Sequence, residues 1–248
     1  MEEHPLKGYD ASTYGEHVAD VYDEQHGSLD PADAVAALAE LAGEGPVLEL
    51  AIGTGRIALP LAARGLEVNG IDASPRMVER LRAKPGGAAI PVTLGDFADV
   101  AVGGTYPLVF VASNTFFALT TQERQVCCFA NVAERLRPGG RFVIEVFVPD
   151  VTRFDRGQRF GVGAVELDRI RIEASRHDPV TQTIDTQEIH LGRDGIRLQP
   201  IHMRYAWPGE LDLMARLAGL RLQERWGGWR REPFTAASKQ HVSIYEPR

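Results

Sequence analysis

The stretch "ELAIGTGR", Glu49 to Arg56, places a carboxylate, two glycines and a guanidinium within eight residues. Gly53 and Gly55 let the backbone turn sharply and approach a ligand closely, just ahead of a helix N-terminus. Two registers fit. Gly53, Gly55 and Ala58 make G-x-G-x-x-A, a dinucleotide fingerprint. Alternatively, Ala51, Gly53 and Gly55 stand in a G-x-G-x-G loop with alanine at its first position. Asp72, 23 residues after Glu49, ends the next apolar stretch and suits two ribose hydroxyls in either register. Glu49 and Arg56 separate the readings. A pyrophosphate gains nothing from a carboxylate, whereas an amino-acid moiety carries both an ammonium and a carboxylate. In "LGDF", Asp96 suits an adenine amino group and the Phe97 backbone N–H a ring nitrogen; a helix N-cap is the other role open to Asp96.

These residues need a scaffold, and the chain between them alternates. "PVLELA", "LEVNGID", "AIPVTLGD", "YPLVFVAS" and "RFVIEVFV" read as strands. "GRIALPLAARG", closed by Gly65 and open to a bend at Pro60, reads as a helix. So do "SPRMVERLRAK", capped by Ser74, and "TQERQVCCFANVAERL", stopped by "RPGG". This βαβα rhythm predicts a parallel sheet with helices on both faces. Before it, "YDASTYGEHVADVYDEQ" gives helical pieces, and "DPADAVAALAELAG" a helix with Asp30 as N-cap, Pro31 at its first position and Gly43 at its end. After Pro149 the rhythm breaks. Residues 165–207 hold three alternating segments separated by the turn signals "HDPVTQ" and "GRDG", which predicts an inserted antiparallel layer that covers the substrate site or makes a dimer contact. A helix in "PGELDLMARLAGL" and strands in "RLQERWGGW" and "KQHVSIYEP" close the chain. The expected organisation is one domain over 1–248: an N-terminal helical lid (1–45), a cofactor-binding core (46–147), the β insertion (150–207), and a closing helix and hairpin (208–248).

Composition narrows the function classes. The 27 basic and 34 acidic residues give a formal charge of −7, which argues against a nucleic-acid partner. No apolar run has the length of a membrane span, and the opening "MEEHPLKGYDAS" lacks the apolar core of a leader, so the cytoplasm is the expected location. Cys127 and Cys128 are adjacent, which suits neither a metal site nor a bridge. They read as small helix residues, one of them buried. The seven histidines are scattered without an H-E-x-x-H pair, and no metal is expected.

The ordered motifs "VLELAIGTGR", "VNGIDASPRMVERLR", "TLGDF", "YPLVFVASNTFF" and "LRPGGRFVIEVF", with the closing "AGLRLQERWGGW" and "HVSIYE", resemble class I S-adenosylmethionine-dependent methyltransferases. That resemblance implies S-adenosyl-L-methionine as cofactor and a Rossmann-like α/β fold, a seven-stranded sheet with its last strand antiparallel. It implies that Glu49, Ala51, Gly53, Gly55 and Arg56 hold the methionine part and Asp72 the ribose. Ala73 and Met77 flank the adenine, Asp96 and Phe97 read its edge, and Ser113 and Asn114 lie beside the methyl group. Ala51 and Pro107 depart from the family pattern without removing a ligand. The segments "YGEHVADVYD" and the β insertion resemble the branch acting on small natural products, including amino-sugar N-methyltransferases, while "NTFF" and "EPFTAASKQHV" are similar to peptide N-terminal methyltransferases.

Methyl transfer needs a nucleophile aligned with the sulfonium methyl and water excluded. A neutral amine needs no strong base; a hydroxyl benefits from one. The candidates are Glu145, an acid inside the apolar "FVIEVF", and Tyr14 and Tyr22 in the lid, for which helix packing is an equal alternative. His17 reads as solvated, and Trp226 and Trp229 as packing residues. The expected acceptor is a small molecule bearing an amine or hydroxyl. A nicotinamide oxidoreductase and a non-catalytic cofactor-binding regulator are the other classes.

Overall fold

The computed structural model describes residues 6, 8–27, 30–193 and 195–248. The start of the opening stretch and Asp194 of "GRDG" lie outside the described residues. Two short helices, α1 (Thr13–Val18) and α2 (Tyr22–His26), precede α3 (Ala32–Ala42). Asp30 does not occupy the N-cap position expected of it. The helix starts at Ala32 with Pro31 as its flanking residue, although the Asp30 carboxylate still accepts the Ala32 N–H at 2.9 Å.

The alternating region then folds as β1 (Val47–Leu50), α4 (Ala58–Ala63), β2 (Val68–Asp72), α5 (Pro75–Arg82), β3 (Val92–Leu94), β4 (Tyr106–Val111), α6 (Gln122–Arg135) and β5 (Leu136–Phe147). Pro60 falls in the first turn of α4, where its missing N–H has no intrahelical partner to lose. Ser74 caps α5 by accepting the Met77 N–H at 3.2 Å, with Pro75 at the first helical position.

The inserted layer is larger than the alternation predicts. It has four antiparallel strands: β6 (Gln158–Val165), β7 (Arg169–Asp178), β8 (Thr183–Gly192) and β9 (Gly195–Arg204). Gly161 and Gly163 dilute the pattern of β6, so its pairing with β7 becomes visible only in three dimensions. Helix α7 (Pro208–Leu217) and strands β10 (Leu220–Trp226) and β11 (Gln240–Pro247) complete the chain.

The main sheet has seven strands in the order β10-β11-β5-β4-β1-β2-β3. Strand β11 runs antiparallel to both its neighbours, and the pairs from β5 to β3 are parallel. The chain order reverses between β1 and β4, and ligands of open α/β sheets bind beyond the strand ends at such a switch point. All six residues of β4 are buried. Val109 and Val111 join one core layer with Leu48, Phe129 and Tyr245, while Leu108 and Phe110 join the other with Leu38, Leu61 and Val143. The Phe129 ring meets Phe116, Phe142 and Tyr245 edge-on at 5.3–5.4 Å between centroids, a favoured aromatic geometry.

Strand pairing sorts the β6–β9 layer into two faces. Phe160, Val162, Ile170, Ile172, Ile189, Ile196 and Leu198 share the outer face. Glu173, Ser175, Thr186, Glu188 and Gln199 share the inner one. Ile184 and Tyr205 anchor the layer in the main core. Arg204, buried at the end of β9, donates to Gln125 Oε1 at 2.6 Å and to Glu210 at 2.7 Å, so its charge is paired where solvent cannot reach it.

Candidate active site

Strand β1 ends in a left-handed turn. Ala51 has φ +56°, Gly53 +56° and Gly55 +81°. The methyl of Ala51 therefore sits where an L-residue is strained by about 1 kcal/mol. A Cβ on Gly53 would meet no atom within 4 Å, so this glycine presents bare backbone to open space. Gly55 is required for another reason: a Cβ there would lie 2.4 Å from Leu81 of α5.

Asp72, at the tip of β2, accepts the Gly53 N–H at 2.7 Å with one oxygen and the Ser74 N–H at 2.8 Å with the other. It thereby ties the loop to the start of α5. Burial raises its pKa, and these backbone donors oppose the rise. Glu49 is buried within β1 and its Oε2 has no partner. Burial pushes this carboxyl well above the ordinary carboxylate range; Arg56 pulls it back and Asp72 adds to the rise. Arg56 donates through Nη2 to the Ser113 hydroxyl, while its Nε is buried without a partner.

Ser113 and Asn114 follow β4 in consecutive left-handed conformations, φ +57° and +66°. Three bonds with β5 hold this unusual turn. The Ser113 N–H donates to Glu145 Oε2 at 2.8 Å, the Asn114 N–H to the Glu145 carbonyl at 3.1 Å, and the Phe147 N–H to Asn114 Oδ1 at 2.7 Å. The second Glu145 oxygen accepts the Trp229 indole N–H at 2.7 Å. Each oxygen of Glu145 is thus engaged by the protein. At the other end of the site, Asp96 accepts the Ala98 N–H at 2.9 Å and pairs with Arg124 at 2.6 Å, while the Phe97 side chain joins the core.

The N-terminal helices close over the loop. Glu16 accepts from the Ser74 hydroxyl at 2.6 Å, and Asp23 from the Thr54 hydroxyl at 2.6 Å and Lys84 at 2.8 Å. Asp20 bridges Arg76 and Arg80. Gly15 is required here, since a Cβ would lie 2.5 Å from Ser74. Met77 is buried beneath this lid with Val18 and Ala19, and Tyr14 and Tyr22 pack on them; Ala73, between Asp72 and Ser74, is half-buried. Tyr22 lies beside Arg56 and Glu49, and Tyr14 beside Gln199 and Glu188 of the inserted layer. Burial raises both phenol pKa values, far so for Tyr14, and keeps both phenols protonated. His17 bonds back to the Thr13 carbonyl in its own helix, and Trp226 packs in the core.

The structure therefore gathers Glu49, Arg56, Asp72, Ser113, Tyr14 and Tyr22 around the loop, with Asp96 further along the sheet edge. Sequence reasoning missed the lid clamp and the Trp229 contact. The clamp had a signal: Arg76, Arg80 and Lys84 recur every fourth residue, matching the acids Glu16, Asp20 and Asp23. Among the described residues no cluster of three or more metal-ligating side chains occurs, and no helix is long and apolar enough to cross a membrane.

The model of a methyltransferase domain matches residues 47–140. Cypemycin N-terminal methyltransferase of a Streptomyces species is 30% identical over 96% of this chain and 98% of its own length. The CcbJ methyltransferase of Streptomyces caelestis has the same fold at a TM-score of 0.91, with 43% identity over 96% of this chain and 99% of that one. CalS10, an amino pentose methyltransferase from Micromonospora echinaspora solved with S-adenosylmethionine, shares the fold at a TM-score of 0.67 and 22% identity, over 91% of this chain and 94% of its own. Glu49 Oε2 and Arg56 Nε are both buried without a partner, and Gly53 presents a bare face to open space. The loop is thus read in its second register, and the chain belongs to the class I S-adenosylmethionine-dependent methyltransferases.

Proposed function

We propose that the acceptor is an amine on a small molecule, bound between the lid tyrosines and the inner face of the β6–β9 layer. One observation carries this reading: Tyr14 and Tyr22 are partly buried phenols, held protonated, over the cofactor loop. A protonated phenol orients an N–H or O–H group by hydrogen bonding but removes no proton at neutral pH. That suits a neutral amine, whose lone pair attacks without a base.

When bound, the cofactor supplies a methyl group already activated on a sulfonium. The chain's part is positioning. Glu49 and Arg56 would hold the amino-acid end, Asp72 the ribose, Asp96 and the Phe97 N–H the adenine edge, with Ala73 and Met77 beside it. Glu145 acts as a positioning residue, fixing the Ser113–Asn114 turn against the methionine end. The lid excludes water and sets the in-line approach. A peptide amino terminus is the second reading, favoured by the full-length likeness to an enzyme named for N-terminal methylation.

The test is transfer from methyl-labelled cofactor to a panel of small amines, phenols and peptides with free amino termini, in wild type, Tyr14→Phe and Tyr22→Phe. Methylated small amines, lost in the tyrosine variants at unchanged cofactor affinity, are expected. Product on phenols alone overturns the reading, and product on peptides alone selects the second.

The outer face of the layer fits a second copy of this chain. Phe160 is 72% exposed, Val162 61% and Ile196 71%. Strands about ten residues long, four abreast, present on the order of 600 Å², close to the roughly 800 Å² per partner of a standard interface. A dimer by light scattering, dissociated by Val162→Glu, is the expected result.

A further inference from the structure

The inner face of the β6–β9 layer carries a row of cations that folding does not explain. Arg171 of β7 stands directly opposite His190 of β8, and His190 directly opposite Arg197 of β9. Like charges in register across strands destabilise a sheet. Compensation within the chain is thin. Glu188 lies 4.0 Å from Arg171 and 3.6 Å from His190. The Arg197 side chain has no hydrogen bond or ion pair among the described residues. Burial and the two arginines lower the His190 pKa, so the row sheds one charge and keeps two.

This row flanks the lid, with Arg171 and Arg197 themselves exposed. One step inward on the same face come Glu188 and Gln199, which Tyr14 of α1 approaches. One step outward comes Arg169, which pairs with Glu24 of α2 at 3.4 Å. Both lid helices therefore bracket the row. Polar groups on this face lack partners. Gln199 is 3% exposed and its Oε1 makes no hydrogen bond; nor does His190 Nε2. Buried polar groups without partners in a native fold call for a ligand or water.

We propose that Arg171 and Arg197 bind an anionic group, carboxylate or phosphate, on the methyl acceptor, whose amine then lies toward the lid tyrosines. This rests on the reading that the acceptor occupies the space between lid and layer. It adds a specificity element: the substrate is an amine with an anionic arm. Two arginines suit either anion, since guanidinium groups donate in pairs to both.

The experiment is calorimetric titration of the protein loaded with S-adenosylhomocysteine, at fixed ionic strength, with succinate in one arm and inorganic phosphate in the other. Wild type, Arg171→Gln, Arg197→Gln and Arg221→Gln are compared, the last removing a distant arginine that pairs with Glu246 on β11. Saturable binding of one anion is expected, the arm that saturates naming the source. Affinity falls about tenfold or more in Arg171→Gln and Arg197→Gln and is unchanged in Arg221→Gln, with S-adenosylhomocysteine affinity equal in all four. No saturation in either arm, or full affinity in Arg197→Gln, overturns the proposal. Should the anion bind as expected while Tyr14→Phe and Tyr22→Phe methylate normally, the anion site stands and the placement of the acceptor under the lid fails.

Discussion

Trp229 donates its indole N–H to Glu145 at 2.7 Å, joining the loop after β10 to the middle of the sheet. The same carboxylate accepts the Ser113 N–H, whose turn has left-handed backbone at two successive non-glycine residues. Such conformations persist only where the surroundings over-determine them. The Glu145 carboxylate does so here together with its own main-chain carbonyl and the Phe147 N–H, and Trp229 fixes that carboxylate in turn.

Replacing Glu145 by Gln turns one acceptor into a donor facing either Ser113 or Trp229. A loss of about 1–3 kcal/mol of stability is expected, with weaker cofactor binding, and Trp229→Phe should reproduce a smaller share of both. Thermal melts and calorimetry with S-adenosylhomocysteine measure the pair. Normal melting and cofactor affinity combined with lost turnover would instead place Glu145 directly on the acceptor.

Asp72→Ala removes the tie between Gly53 and Ser74 together with the expected ribose contact. Cofactor affinity should fall by about tenfold to a hundredfold, since charge-assisted hydrogen bonds contribute about 1.5–3 kcal/mol and do not add fully. Asp96→Ala should cost less, because Asp96 is more exposed and its loss leaves Arg124 with Asp99 at 3.0 Å. Equal dissociation constants for wild type and Asp72→Ala would remove Asp72 from the site.

Glu49 is expected to link cofactor binding to pH. Its native pKa is raised, so the folded apo protein holds a proton that the unfolded chain releases. The sign follows: stability from this group is full below the ordinary carboxylate value and declines as pH rises through the raised one. Glu49→Gln should therefore stabilise the apo protein at pH 8 relative to pH 5. An ammonium placed beside Glu49 favours its ionised form, so cofactor binding should release a proton. Titrations in buffers of different ionisation enthalpy detect that proton, and its persistence in Glu49→Gln would assign it to another group.

His241 on β11 gives the opposite slope. It is fully buried, its Nδ1 pairs with the Ser243 hydroxyl at 2.8 Å, and burial with the nearby Arg225 charge pushes its pKa down from 6.5 to about 4. A depressed native pKa contributes stability above the unfolded value that is lost as pH falls toward the folded one. That amounts to roughly 3 kcal/mol between pH 6.5 and 4. Denaturant unfolding across this window should show the loss in wild type, and a flatter profile in His241→Asn.

The amino-acid sequence by itself determined the cofactor loop, the strand–helix alternation around it and the existence of an antiparallel insertion. Each is a local pattern: glycines at fixed offsets where backbone must be bare, apolar periods of 3.6 or 2, caps and stops within a few residues. Glu49, Gly53, Arg56 and Asp72 were legible because one turn and two adjacent strands place them. What only the tertiary structure decided depends on which distant segments meet. Glu145 stood out as an acid in an apolar strand, but its partners come from β4 and from the loop after β10, distant in sequence and adjacent only through the sheet order. The lid's grip on α5, the fourth strand of the insertion and the opposed Arg171, His190 and Arg197 are likewise products of register. A cross-strand neighbour is fixed by hydrogen-bond pairing across a turn, and a shift of one residue would turn every side chain to the other face.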